Sequence, residues 1–307
     1  MADRARGGVN QAGVSPGWAE RQEALRRLAR CQVFFVGGAP RSGTTWLQYL
    51  LDSHPEVCCR GEGLFMKHLA EPLEAMMAAR RKALAVKNDT VFRHAGGYEL
   101  PASEDVEVLL GTAVLLALER QRAGKPCRAI GEKTPENVFF FARMKQLFPG
   151  AKFVGIARDP RDVLTSAWHF FHKPAPGEDA VAAKTAFIAS ALPSLDHGAR
   201  TMLALAEQFP SDCMNVTYEG MRAAPAPVAA RLFRFLGVAD GGDVVASCVA
   251  RTSFAALSGG RSAGMTQDGS FFRKGVVGDW RSTLTPEMNE TILGRLGWMY
   301  PRFGWAP

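Results

Sequence analysis

The stretch that decides the fold is FFVGGAPRSGTTWLQYLLDSHPEVC, from Phe34 to Cys58. The hydrophobic run Val33–Val36 predicts a buried strand, and the apolar spacing within Thr44–Leu51 predicts a helix. A glycine-containing turn, residues 37–43, joins the two. A strand, a tight loop and a helix N-terminus in this order present backbone N–H groups to an anion. The stretch therefore predicts an α/β fold with an anion-binding loop.

The loop departs from the nucleotide triphosphatase motif at the lysine position. That motif is G-x-x-x-x-G-K-[ST]. Gly38 and Gly43 keep its glycine spacing, but Thr44 occupies the place of the lysine. A P-loop kinase or triphosphatase also needs a magnesium carboxylate at a strand end. From this loop alone that class stays open as an alternative, as does a non-catalytic module that binds a nucleotide or another polyanion.

Composition places the chain among globular proteins. It has 307 residues, 47% of them apolar and 22% charged, with a formal net charge of +7 and a pI near 9.3. A mildly basic balance suits a polyanionic ligand. There is no basic block and no aromatic RNA-binding signature, so we expect no nucleic-acid partner. The sequence has no leader-like apolar start and no apolar run of about 18 residues, so we expect no integral membrane segment. The six cysteines lack metal-ligand spacing, which favours reduced thiols and a cytoplasmic location.

Strand-like and helical segments alternate along the chain. The predicted strands are Val33–Val36, Val57–Arg60, Cys127–Ile130, Lys152–Ala157 and Met214–Tyr218. The predicted helices are Ala19–Arg30, Thr44–Leu51, Met66–Val86, Glu104–Gln121, Asn137–Phe148, a segment after Arg158 that ends at Phe170, Val181–Gln208 with a break near Pro193, and Ala226–Leu236. This alternation is typical of a three-layer α/β fold, a parallel β-sheet flanked by helices. We predict an N-terminal arm and short helix over residues 1–30, of which 1–16 form the arm, and a single domain over residues 31–307.

In such sheets the ligand binds beyond the C-terminal ends of the strands. Pro135, Arg158 and Glu219 each follow a predicted strand. We therefore expect their segments to meet the first loop.

Five segments together carry a family resemblance: Pro40–Trp46, Arg158–Ser166, Val216–Glu219, Thr252–Phe254 and Phe272–Trp280. In this order they closely resemble the sulfotransferases that use 3′-phosphoadenosine-5′-phosphosulfate (PAPS), over about residues 33–290. Each segment alone is a weak signal, but the last one contains the specific pattern RKGxxGDW. The resemblance implies a P-loop-like sulfotransferase fold. It also implies transfer of a sulfuryl group from PAPS to a hydroxyl or amine of a small-molecule acceptor, without a metal, leaving 3′-phosphoadenosine-5′-phosphate (PAP).

The resemblance also implies a donor site in which Arg41 replaces the Walker lysine. The implied residues are Arg41, Ser42, Gly43, Thr44 and Thr45 around the 5′-phosphate, Trp46, Tyr218, Thr252 and Phe254 around the adenine, and Arg158, Ser166, Arg273, Lys274 and Gly275 around the 3′-phosphate. Arginine suits this task because its planar fork binds phosphate oxygens in pairs. Two alternatives stay open: Arg158 and Arg161 could form a surface salt-bridge cluster with Asp159 and Asp162, and the three aromatic residues could be core residues.

The acceptor needs a base near the sulfur. Cytosolic relatives place a histidine after a Lys-Thr pair, but the matching segment here is Lys133-Thr134-Pro135. This difference points to the Golgi-type and bacterial branches, in which a glutamate after the second strand is the base. We therefore predict Glu62 as the general base, with a pKa raised by partial burial, and Arg41 and Lys133 as the cations near the transferred group. Glu132 and Glu136 remain competing bases.

The acceptor itself is left open by the sequence. Candidate acceptor loops are Gly63–Tyr98, His172–Phe187 and Ser258–Phe271. His169 and His172 are interpreted as solvated or core histidines rather than catalytic ones. The segment Arg281–Glu290 partly resembles a dimer motif of the cytosolic members, K-x3-T-V-x3-E, with arginine for lysine and proline for valine. On this partial resemblance a homodimer is an open possibility.

Overall fold

The computed structural model describes residues 16–173, 175–266 and 271–306. The predicted N-terminal arm therefore lies outside the described residues except for Pro16, as does the end of the predicted 258–270 loop. The strands are β1 Gln32–Gly38, β2 Val57–Cys59, β3 Ala129–Lys133, β4 Lys152–Ala157 and β5 Cys213–Thr217. The α-helices are α1 Pro16–Leu28, α2 Thr44–Asp52, α3 Glu71–Thr90, α4 Ser103–Arg122, α5 Asn137–Leu147, α6 Pro160–Phe171, α7 Ala180–Gln208, α8 Tyr218–Ala223, α9 Pro225–Phe235, α10 Gly242–Arg251, α11 Phe254–Leu257, α12 Pro286–Leu296 and α13 Met299–Phe303. A π-helical turn, Met66–Ala70, precedes α3, and a 3-10 turn covers Asp279–Ser282.

The five strands form one parallel sheet in the order β2-β3-β1-β4-β5. Strand β1 lies in the centre, where Phe34 is paired with Gly131 of β3 and with Lys152 of β4. The central strands are buried along nearly their whole length, because helices cover both faces of such a sheet. The predicted three-layer α/β fold is confirmed.

Alternate residues of β1 belong to opposite faces of the sheet. Phe34 and Val36 belong to a buried cluster that includes Leu47 of α2 and Phe233 of α9. Phe35 stands on the other face, where its ring lies 5.4 Å from that of Phe148, just after α5. Because both faces are packed, β1 is held rigidly, and the loop that follows it starts from a fixed point.

The chain divides into two compact units. The first comprises residues 1–31 and 63–125 and contains α1, α3 and α4, with the side chain of Arg27 lying 3.6 Å from Glu119. The second comprises residues 32–62 and 126–307 and contains the whole sheet. Across the part of the chain that the structure describes, no helix combines the length and apolar character needed to cross a bilayer.

Three predicted boundaries were wrong. Helix α7 runs unbroken through Pro193, because burial of Ile188 and Leu192 compensates for the backbone hydrogen bond that proline cannot make. Strand β3 begins two residues later than predicted and continues to Lys133. The helix predicted over Met66–Val86 ends later than predicted, since α3 extends to Thr90.

Candidate functional site

The loop between β1 and α2 has a backbone that few residue types can adopt. Gly43, just before α2, has φ +101°, and a Cβ there would lie 2.7 Å from the Tyr218 ring. At Gly38 a Cβ would lie 2.4 Å from the carbonyl oxygen of Ile156. Arg41 has φ +72°, which is strained for a residue with a side chain. Such strain is typical of functional loops, and here it places the Arg41 side chain in the cavity described below.

The N-terminus of α2 offers unpaired donors to an anion. The first helical hydrogen bond runs from the Leu47 N–H to the Gly43 carbonyl, so the N–H groups of Thr44, Thr45 and Trp46 have no acceptor within the helix. The first turn contains no acidic residue, and Gly43 makes no side-chain cap. The Ser42 hydroxyl is buried and has no hydrogen-bond partner among the described residues. This set of donors suits a phosphate or sulfonate group.

Arg41 lies among other cations. Its Nε donates to the Ser166 hydroxyl over 3.3 Å, and one Nη donates to the Phe271 carbonyl over 2.9 Å. Burial, together with the charges of Arg158 and Arg273, lowers the pKa of Arg41 to about 10. The Arg41 guanidinium is therefore partly desolvated and is repelled by two neighbouring cations. An anion would relieve this repulsion.

Arg158 follows β4 and occupies the position predicted for a second anion. Its Nη atoms donate to the carbonyls of Arg41 over 3.3 Å and Val276 over 3.0 Å, whereas its buried Nε has no partner in the described ranges. The neighbouring Arg161 is buried and bonds to Asp159, with 2.8 Å between Nη2 and Oδ2. The alternative of a surface salt-bridge cluster was wrong, because this arginine–aspartate pair lies in the interior.

The segment Arg273–Gly275 brings two more cations to the same place. Arg273 and Lys274 both pair with the buried carboxylate of Asp279. Burial acts to raise the pKa of Asp279, but the hydrogen bonds and charges of the two cations outweigh it, so the pKa is lowered. Gly275 has φ +64°, and a Cβ there would lie 2.3 Å from the Phe254 ring. The glycine thus lets this backbone pass directly over an aromatic side chain.

Asp162 attaches this segment to α6. Its buried carboxylate accepts hydrogen bonds from the N–H groups of Gly278 over 2.7 Å and Trp280 over 3.1 Å. It also lies 3.7 Å from the Arg158 guanidinium. One carboxylate therefore holds the turn that carries Asp279, which in turn orients Arg273 and Lys274.

We expect Asp162→Asn to lower the free energy of unfolding by about 2–3 kcal/mol, because the amide replaces one of the two accepting oxygens with an N–H₂ group that faces a backbone N–H donor. Denaturant-induced unfolding followed by circular dichroism measures this loss. Asp240→Asn is the matched control, since Asp240 forms a surface pair with Arg234; its effect should stay below about 0.5 kcal/mol. Equal effects of the two substitutions would contradict the role assigned to Asp162.

Three aromatic residues lie beside these cations. The Trp46 and Tyr218 rings meet edge to face at 5.5 Å, and Trp46 Nε1 donates to the Thr252 carbonyl over 2.9 Å. Tyr218 is buried, which raises its pKa, and its ring lies 4.3 Å beneath the Arg158 guanidinium. The Thr252 hydroxyl donates to the Cys248 carbonyl. Thr252 therefore contributes its backbone carbonyl, rather than its hydroxyl, to the hydrogen bond with Trp46.

Most of the predicted donor-binding residues line one cavity, with about 810 Å³ of empty space including its open mouth. These residues are Arg41, Gly43, Thr44, Thr45, Trp46, Arg158, Ser166, Tyr218, Phe254, Arg273, Lys274 and Gly275. The aromatic residues thus belong to the cavity wall rather than only to the core. Ser42, Thr252, Glu62 and Lys133 do not line this cavity.

Lys133 and Glu62 form a pair next to the cavity, at the ends of β3 and β2. The Lys133 ammonium contacts the Glu62 carboxylate and lies 3.2 Å from the hydroxyl of Thr45, which lines the cavity. The Lys133 side chain is only 3% exposed, whereas that of Glu62 is 46% exposed. The expected burial of Glu62 was therefore wrong, because this residue is followed by an exposed loop.

The competing carboxylates lie elsewhere. Glu132 is buried, and its two oxygens accept hydrogen bonds from the Thr134 hydroxyl over 2.8 Å and the Asn137 amide over 2.6 Å. Glu136 precedes α5 and does not line the cavity. His172 stacks on Trp168 and pairs with Glu178, and His169 is exposed. Glu62, by contrast, contacts Lys133, and Lys133 donates a hydrogen bond to Thr45 in the cavity wall.

Sequence reasoning missed several cavity residues. Arg222 lines the cavity four residues after Tyr218 and has no hydrogen bond or ion pair among the described residues. Asp162 was considered only as a member of a salt-bridge cluster, and Asp279 received no role. Both pair with cations four to six positions away, whereas the hydrogen bonds from Gly278 and Trp280 to Asp162 depend on the tertiary structure. The further lining residues are Leu257, Phe271, Phe272 and Val276. Three or more histidine, cysteine, aspartate or glutamate side chains do not gather into a metal-binding group within residues 16–173, 175–266 and 271–306.

The fold and the cavity define an α/β protein with an anion-binding loop and a nucleotide-sized pocket at the C-terminal edge of its sheet. A sequence model of the Sulfotransferase family matches residues 33–241, and the chain belongs to this family. The predicted resemblance is thereby confirmed. The match ends before the RKGxxGDW segment. The place of that segment in the cavity wall is therefore supported by the structure and not by the family model.

Two relatives and one solved structure illustrate the similarity. Cytosolic sulfotransferase 17 of Arabidopsis thaliana is 34% identical over 167 residues, 47% of this chain and 48% of that protein. Protein-tyrosine sulfotransferase 2 of Gallus gallus is 26% identical over 129 residues, 42% of this chain and 32% of that protein. The crystal structure of mouse sulfotransferase SULT7A1 complexed with PAP is similar in fold, with a TM-score of 0.52, 18% identity, and coverage of 91% of this chain and 88% of that one. The chain spans less than two thirds of the length of the curated relatives it matches.

Proposed function

We propose that the protein transfers a sulfuryl group from PAPS to a hydroxyl or amine of a small-molecule acceptor. The observation that carries this proposal is the single cavity that joins a free helix N-terminus, several cations and an aromatic wall. A nucleotide with an anion at both the 5′ and 3′ positions of its ribose needs this combination. The mouse relative crystallised with PAP supports the choice of nucleotide.

The residues present fit such a nucleotide. The buried Ser42 hydroxyl and the Nε atoms of Arg158 and Arg273 have no hydrogen-bond partner among the described residues. Buried polar groups of this kind are normally paired, so each of them favours a polar ligand. Ser42 would serve the 5′ end together with the N-terminus of α2, whereas Arg158 and Arg273 would serve the 3′-phosphate. Trp46, Tyr218 and Phe254 would enclose the adenine.

The donor supplies an activated sulfuryl group whose transfer leaves a phosphate oxyanion. Arg41 and the N–H groups at the start of α2 stabilise the charge that develops there, as cations and amides do in phosphoryl transfer. Lys133 contacts both Thr45 and Glu62, so it connects the donor cradle to the base. Glu62 accepts the proton of the acceptor, and its exposure leaves the carboxylate accessible to a molecule arriving from solvent.

We also propose where the protein is located and which partner it binds. A relative named as a cytosolic sulfotransferase supports the cytoplasmic location that we propose. A small-molecule acceptor is proposed as the partner. The homodimer suggested by Arg281–Glu290 and the single domain over residues 31–307 stay predictions.

Calorimetric titration with PAP tests the proposed donor site. We expect a dissociation constant on the order of micromolar, a value common for co-substrates, with much weaker binding of ADP and of ATP with magnesium. An acceptor panel of 4-nitrophenol, 1-hexanol and aniline then tests transfer. Tighter binding of ATP with magnesium would favour a kinase or triphosphatase. Binding of PAP with no transfer to any acceptor would favour a non-catalytic module.

We expect Glu62→Gln to lower kcat about a hundredfold with the best acceptor of this panel, because removal of a general base commonly has this effect. The dissociation constant for PAP should stay within about threefold, since Glu62 lies outside the donor cavity. Glu207→Gln is the matched control, as Glu207 is an exposed carboxylate paired with Arg302. An unchanged kcat for Glu62→Gln would show that Glu62 is not the general base.

A further inference from the structure

The guanidinium of Arg41 lies in a corner formed by two phenylalanine rings. Its central carbon is 4.2 Å from the ring centre of Phe170 and 4.7 Å from that of Phe271. The two rings are 6.0 Å apart and nearly perpendicular, with an interplanar angle of 86°. A cation at this distance from an aromatic face is attracted by the ring quadrupole. The corner therefore restrains the guanidinium from two directions.

Hydrogen bonds complete this restraint. An arginine side chain has five N–H donors, and Arg41 uses one toward Ser166 and one toward the Phe271 carbonyl. No other hydrogen bond of this guanidinium occurs within the described ranges, so three N–H groups remain for a ligand. Ser166 and Phe170 are four residues apart on α6 and thus share one face of that helix. The guanidinium plane is set before any ligand arrives.

Core packing does not account for these rings. The residue exposures of Phe170 and Phe271 are 44% and 45%, far above those of buried phenylalanines in the sheet. Single exposed aromatic rings are common on protein surfaces. These two rings differ because each packs against the guanidinium of Arg41. Burial and the charges of Arg158 and Arg273 lower the pKa of Arg41, so they act against the charged guanidinium, and the two aromatic faces offset part of this effect.

We propose that Phe170 and Phe271 are positioning residues that hold the Arg41 guanidinium in the orientation required for sulfuryl transfer. This inference rests on the proposed function and adds two residues that touch the reacting group only through Arg41. Two parts of the cavity wall then have different roles. The glycines and the N-terminus of α2 form the anion-binding loop, and the two phenylalanine rings orient Arg41.

Kinetics of matched variants tests the inference. We expect Phe170→Leu and Phe271→Leu each to lower kcat about tenfold, with the PAP dissociation constant within about threefold, because a cation–π contact is removed while an apolar side chain is retained. Phe170→Tyr retains an aromatic face and should restore kcat to within about twofold of the wild type. Phe171→Leu is the control, since Phe171 is 56% exposed, contacts Phe170 and has no ring contact with Arg41. Equal kcat values for Phe170→Leu, Phe271→Leu and Phe171→Leu would overturn the inference.

A spectroscopic measurement keeps the inference separate from the proposed function. The Arg41 Nε–H resonance, assigned by its loss in Arg41→Lys, should shift in Phe170→Leu and Phe271→Leu because ring currents are removed, and should stay unchanged in Phe171→Leu. This experiment uses the full chain without any ligand. Failure of the wild type to bind PAP would refute the proposed function. A wild type that binds PAP and transfers sulfuryl groups, with an Arg41 signal unaffected in all three leucine variants, would refute the aromatic corner alone.

Discussion

Replacing Arg158 by alanine is expected to weaken the binding of PAP about a thousandfold, since loss of one partner from a desolvated charge pair commonly costs several kcal/mol. Arg158 lines the proposed donor cavity with a side chain that is 10% exposed, and its Nε has no hydrogen-bond partner among the residues that the structure describes. Its Nη atoms also donate hydrogen bonds to the carbonyls of Arg41 and Val276. The substitution therefore removes a ligand contact and loosens two segments of the same wall.

Calorimetric titration of the Arg158→Ala variant with PAP measures this effect. Arg231→Ala is the matched control, because Arg231 is an exposed arginine on α9 that lies outside the cavity. Its dissociation constant should equal that of the wild type. If Arg158→Ala bound PAP as tightly as Arg231→Ala, the assignment of the 3′-phosphate to this end of the cavity would be refuted.

Replacing Arg41 by alanine is expected to lower kcat about a thousandfold, the upper range for loss of one group that stabilises developing negative charge. Binding of PAP should weaken far less, because the α2 N-terminus remains in place. The kcat of Arg41→Lys should lie between those of the wild type and the alanine variant. Lysine restores a charge but neither the fork that reaches both Ser166 and Phe271 nor the planar contact with the rings.

Steady-state kinetics with saturating donor, together with PAP titration of each variant, checks this prediction. An equal loss of PAP affinity and of kcat/KM, with kcat unchanged, would mean that Arg41 contributes ground-state binding only. The order wild type, lysine, alanine in kcat is the result that supports a role in the transition state.

Local sequence patterns predicted most of the fold and much of the cavity wall. The strand–loop–helix signal at residues 33–51 was correct because it depends on neighbouring residues: apolar runs, glycine spacing and helical periodicity. The expectation that the Arg158 segment meets the first loop followed from the rule that ligands bind beyond the C-terminal ends of parallel strands. Ser166 was expected there only from the family resemblance. The errors were of another kind. Pro193 was taken as a break because the packing that compensates for it is invisible in the local sequence.

The remaining features required the tertiary structure. Glu62 was expected to be partly buried, but only the folded chain shows that it is exposed and paired with Lys133. The sequence by itself determined which segments form the central strands and where the glycine-containing loop joins a strand to a helix, because these depend on contacts within about ten residues. The cations expected around that loop came from the family resemblance. Only the tertiary structure decided how Asp162 holds the Gly278–Trp280 turn and how two phenylalanines enclose Arg41. Those contacts join residues more than a hundred positions apart, and no local pattern specifies which distant side chains will meet.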